Sequence, residues 1–151
     1  MSLSGSTIFV SPRIVPSMKQ SQFLYLGLLD LLLIAGLAAV FGPAVLVSSP
    51  IVLMGLAGFG AILAGTVSEL SLGPITLSWR HLVGLSYVTF ALMWPVTYAP
   101  EIVAGTASGQ DLFLFVVTTI GAFSLVFYGI DIARGGRHFS VQQNVERVIG
   151  L

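Results

Sequence analysis

Four apolar runs, separated by short polar breaks, constrain this chain more than any other feature. They cover residues 23–41, 51–70, 81–98 and 112–133. A helix needs roughly 20 predominantly apolar residues to cross the hydrocarbon core of a bilayer, and each run reaches or approaches that length. The breaks carry turn signals: Pro43 and Pro50 bracket Ser48 and Ser49, Gly73 and Pro74 interrupt SLGPITLSWR, and Pro100 with Glu101 precedes the polar GTASGQD. A membrane barrel would instead show alternation over about 10 residues per strand, and these runs are continuously apolar. Short connections make consecutive helices antiparallel neighbours. The expected fold is an all-α membrane protein: an up-down four-helix transmembrane bundle over residues 23–134, preceded by a cytoplasmic segment 1–22 and followed by a tail 135–151.

Composition supports this reading. Charged residues make up 8% of the chain, against about 25% in soluble domains. Six basic and six acidic residues cancel, so there is no basic stripe for nucleic acid. The absence of cysteine excludes disulfides, thiolate zinc sites and covalent haem attachment.

The basic residues set an expected orientation, because short loops rich in Lys and Arg stay on the cytoplasmic side. Arg13 and Lys19 precede the first run, Arg80 lies between the second and third, and Arg134, Arg137 and Arg147 follow the fourth. Both termini are therefore expected in the cytoplasm. A cleaved signal peptide is a weaker account of the first run, which is longer than the roughly 7 to 15 residues of a signal h-region and is followed by Phe41 and Pro43.

Asp30 interrupts the leucines of YLGLLDLLLIAG. It falls seven residues after Phe23, about 10 Å along a helix. An ionised carboxylate at that depth is costly unless it faces the bundle interior, a watery cavity or a partner. Glu69, Arg80, His81, Asp131 and Arg134 are expected at the same end. Asp30, Arg80, His81, Asp131 and Arg134 thus form a candidate ion or proton site. The alternative is an ion-pair cluster in which Arg80 or Arg134 neutralises a carboxylate and fixes helix register. Asp131 and Arg134, three apart on one helix, have a spacing suited to pairing. His81 and His138 are the only histidines, and their isolation on different segments makes no haem or metal motif. No cofactor is expected.

The second run contains Ala57, Gly60, Ala61, Ala64 and Gly65. Small residues four apart let helix backbones approach closely, so this helix is the expected packing centre, within the chain or in a homo-oligomer. Trp79 and Trp94 fit interfacial aromatic belts. At the C-terminus, Val141, Val145, Val148 and Ile149 stand opposite Gln142, Gln143, Glu146 and Arg147, which reads as a short amphipathic helix capped by Ser140. Its apolar stripe would lie in the interface or dock on a protein.

No P-loop, GxGxxG, HExxH or GxSxG pattern is present, and little chain lies outside the spans for catalysis. The four-span plan with an acid in its first helix is similar to that of small multidrug exporters, with no shared motif beyond the plan. The sequence is expected to encode a non-enzymatic membrane subunit, structural or accessory, bound to lipid and to other membrane proteins. A small oligomeric transporter or channel using Asp30 is the second expectation.

Overall fold

The computed structural model describes residues 18–139 and 141–150. The N-terminal segment up to residue 17 and Ser140, the expected helix cap, lie outside the described residues. The elements in order are β1 (Met18–Lys19), α1 (Gln22–Phe41), a 3-10 turn (Pro43–Val47), α2 (Ser49–Thr66), β2 (Glu69–Leu72), β3 (Ile75–Ser78), α3 (Trp79–Val103), α4 (Gly109–Ala133), β4 (Val141–Gln142) and β5 (Val148–Gly150). All four helices are long and apolar enough to cross a membrane.

Local chemistry sets the helix limits. α1 stops where Gly42 adopts φ +87° before Pro43, a left-handed position that glycine fills without a steric penalty. Pro50 sits in the first turn of α2, where its missing N–H costs nothing. α4 begins with a capping box: Ser108 Oγ accepts from the Asp111 amide, and the Asp111 carboxylate accepts from the Ser108 amide at 2.8 Å. α3 is longer than its apolar run. It continues through Pro95 and Pro100 to Val103, each proline withdrawing one helix N–H without ending the helix.

Neighbouring helices pack in chain order, α1 on α2, α2 on α3 and α3 on α4, and α1 and α4 share no comparable seam. The four form an up-down bundle in which α1 and α4 are the neighbours without a close backbone seam. Glycine makes two of the seams possible. A methyl group built on Gly27 of α1 would strike the Gly58 carbonyl of α2 and lie 2.8 Å from the Ile62 amide nitrogen. One built on Gly84 of α3 would lie 2.7 Å from the Gly129 carbonyl of α4. α2 lies between two neighbours and buries Ala57, Ala61, Ala64 and Gly65, while a methyl on Gly60 would collide with the Ser86 hydroxyl of α3. The outer helices are the reverse of a water-soluble design: Leu32 of α1 is 69% exposed and Phe123 of α4 is 71% exposed. Such faces are stable in hydrocarbon, where apolar side chains need no covering.

The best-packed core lies at one end of the bundle, where α1 and α3 begin and α2 and α4 finish. Phe23, Ala64, Val67, Trp79, Leu82, Val83 and Ile132 meet there. Trp79, expected at an aromatic belt, is instead 3% exposed within this core, and the Arg80 guanidinium carbon lies 5.2 Å from the centre of its ring.

Strands cover this end. β2 and β3 form a hairpin in register from Glu69–Ser78 to Leu72–Ile75, turning at Gly73, with φ +61°. β5 adds in parallel to β2, and β4 pairs in parallel with β1. This corrects the expected C-terminal amphipathic helix: the tail is extended. Its valines fit a helical stripe, yet β-branched residues suit strands equally well. Backbone bonding to distant residues decides the matter. The Gln20 amide donates to the Gln142 carbonyl at 2.9 Å, and the Ser68 amide donates to the Arg147 carbonyl at 2.7 Å. A helical tail would withdraw both acceptors. Asn144 adds a two-bond clasp, accepting from the Ser21 amide at 3.0 Å and donating to Ser21 Oγ at 2.9 Å.

Gln20 locks the arrangement. It is 0% exposed, and its Nε2 donates to the Ala64 and Val67 carbonyls, both at 2.8 Å. The end of a helix leaves carbonyls without intrahelical partners. Here the Ser68 amide has turned away to Arg147, and one buried side chain from the start of the described chain takes up the acceptors of α2.

Candidate functional site

Asp30 lies eight residues into α1, about 12 Å along the helix axis from Gln22. Its side chain rests on α2 at Gly58: a methyl built there would sit 3.0 Å from Asp30 Cβ and 3.6 Å from Oδ2. The carboxylate faces a cavity of about 200 Å³ lined from all four helices. The polar members of that lining are Asp30, Ser86 and Tyr87; Ala57, Ala61 and Val83 are among the apolar ones. Ser86 Oγ donates to the Leu82 carbonyl at 2.9 Å, which leaves its lone pairs available. Asp30 has neither an ion pair nor a hydrogen bond among the described residues.

The other charged candidates stand apart from it at the strand-covered end. Arg80 stacks on Trp79 and reaches toward the turn after α4, where a methyl built on Gly135 would lie 3.6 Å from Nη1. His81 is exposed, with its Nδ1 2.7 Å from Ser78 Oγ. Glu69 is exposed on β2. Asp131 is not paired with Arg134. Its Oδ2 accepts from the His138 and Phe139 amides at 3.0 and 3.1 Å, and its Oδ1 lies 3.1 Å from His138 Nδ1. The reason is the chain reversal at Gly135 and Gly136, with φ +113° and +69°. It turns two N–H groups and an imidazole onto one carboxylate, a better set of partners than one flexible arginine three residues away. Tyr128 and Phe139, with ring centres 4.5 Å apart, pin the returning segment to α4.

The structure thus brings Asp30 together with Ser86 and Tyr87, and not with Arg80, His81, Asp131 or Arg134. Ser86 and Tyr87 carry no sequence signal beyond being polar inside an apolar run. Gly58 is one small residue among several, and its role emerges only from what packs on it. Among the described residues no three metal-ligating side chains converge.

Four packed apolar helices, a carboxylate on a cavity between them and a strand cap built from the hairpin between α2 and α3, the segment before α1 and the tail define the class of this molecule by its architecture. The chain belongs to a family of unknown function, DUF7994, whose model matches residues 18–145 and so takes in all four helices and the first strand pair. No curated protein and no solved structure matches it.

Proposed function

We propose that this chain is a multi-pass membrane protein, with both termini and the strand cap in the cytoplasm, that serves as a non-catalytic structural or accessory subunit of a membrane protein complex. The observation that supports this reading is Asp30: a carboxylate about 12 Å along an apolar helix, on the wall of a cavity between helices of which α1 and α4 share no close backbone seam, with no cation paired to it among the described residues. Carboxylates inside membranes are satisfied by partners or by water-filled interiors. A helix from another subunit, packing beside α1 and α4, would supply the missing group. A second reading, an oligomeric ion- or proton-coupled transporter or channel, draws on the presence of Ser86 and Tyr87 beside Asp30 in the same cavity.

Affinity purification of the full chain in mild detergent, with reconstitution of the product into liposomes, separates the two. Co-purification with other membrane polypeptides at fixed ratio, without flux, is expected. A lone homo-oligomer that conducts protons or cations, and loses that flux in Asp30→Asn, would replace the subunit reading with the transport one.

Orientation has its own test, since the chain contains no cysteine. A membrane-impermeant maleimide is expected to label Ser108→Cys in intact cells, and Thr76→Cys or Ser140→Cys only after permeabilisation. The reverse pattern would invert the topology.

A further inference from the structure

We propose that the cavity at the end of α4, lined by Phe127, Ile130, Asp131, Arg134, Arg137 and His138, binds the phosphate of an anionic phospholipid. The cavity measures about 570 Å³ and lies open at the surface. Two guanidinium groups line it, and both arginines are exposed and free of ion pairs among the described residues. The one carboxylate in the lining offsets only one of the two positive charges and pairs with neither arginine. Asp131 is only 10% exposed in its side chain, and its two oxygens are occupied by the His138 and Phe139 amides and by His138 Nδ1. The end of a helix carries partial negative charge that disfavours anions. Here the last carbonyls of α4 are taken up by the amides of Arg134, Gly135 and Gly136. What remains for a ligand is cationic, and arginine forks suit phosphate oxygens.

The apolar half of the cavity selects a lipid over free phosphate. Phe127 and Ile130 are exposed on α4, seven and four residues before Arg134, which is about 10 and 6 Å back along the helix toward its apolar middle. A soluble phosphate has nothing to place against them; the glycerol and acyl chains of a phospholipid do. Basic clusters where a helix leaves the cytoplasmic face are suited to such headgroups. The inference rests on the bilayer placement proposed above and is independent of the subunit role.

The test is a binding titration of the full-length chain with fluorescent phosphatidylglycerol in detergent micelles, with phosphatidylcholine and inorganic phosphate as comparison probes. Preference for phosphatidylglycerol is expected, with affinity falling roughly fivefold for each arginine neutralised in Arg134→Gln and Arg137→Gln. Melting temperatures without added lipid are expected to stay at the wild-type value, because both side chains are exposed; should Arg134→Gln melt lower, Arg137→Gln, which lies beyond the helix, decides alone. Equal binding of the two lipids, or no loss in the variants, would overturn the site. Full displacement of phosphatidylglycerol by millimolar inorganic phosphate would assign it to free phosphate instead. Failure of the chain to enter phosphatidylcholine nanodiscs at all would remove the bilayer placement and this inference with it, a result distinct from loss of lipid selectivity.

Discussion

Gln20→Met is expected to destabilise the protein by about 2 to 4 kcal/mol, measured by thermal or denaturant unfolding of the full chain in detergent. The change nearly preserves side-chain volume, so the core around Phe23 and Val67 keeps its packing. What disappears is the amide that donates to the Ala64 and Val67 carbonyls at 2.8 Å. A buried acceptor stripped of its donor costs on the order of 1 to 3 kcal/mol, and two are stripped here. Part of the loss is returned, because Gln20 Oε1 is itself buried without a partner and methionine removes it. Gln20→Glu is expected to be worse at neutral pH, since it sets a carboxylate against two carbonyl oxygens. A Gln20→Met protein as stable as the wild type would show that the end of α2 does not depend on this side chain.

Gly84→Val and Gly129→Val are each expected to cost about 3 kcal/mol or more and to loosen α3 from α4. Each glycine lies against the carbonyl of the other: a methyl on Gly84 would be 2.7 Å from the Gly129 oxygen, and one on Gly129 would be 2.9 Å from the Gly84 oxygen. The obstruction is backbone, which cannot swing aside as a flexible side chain does, so the helices must separate along the seam. Insertions into a packed core commonly cost about 1 to 3 kcal/mol even where side chains can adjust. Gly121→Val is the matched control. It lies on the same helix as Gly129, changes helix propensity identically and meets nothing within 4 Å. Equal stability of Gly121→Val and Gly129→Val would mean that the close α3–α4 approach contributes nothing.

Much of the helical plan is legible in the sequence, for a simple reason. A run of about 20 apolar residues can satisfy its backbone in lipid only as a helix or within a closed barrel, so the choice is made locally. The runs at 23–41 and 51–70 correspond to α1 and α2 within a few residues, and α3 exceeds its run because the prolines did not end it. Sequence also places Asp30 deep in the first helix, a depth that follows from rise per residue alone.

Everything that depended on which groups were left over at the helix ends had to wait for the tertiary structure. Val141, Val145, Val148 and Ile149 carry a helical spacing, but the residues that hold the tail extended are Gln20 and Ser68, far away along the chain. Asp131 and Arg134 have a pairing distance along the helix, yet Gly135 and Gly136 deliver two amides and an imidazole to the carboxylate first. Trp79 has the polarity of an interfacial residue and is buried because α3 begins under the strand cap. Asp30 shares a cavity with Ser86 and Tyr87 and packs on α2 at Gly58, which no spacing within α1 encodes. Hydropathy is a property of each segment and is read from one segment at a time. Hydrogen-bond satisfaction and close backbone approach are properties of pairs, and the pairs exist only once the helices have packed.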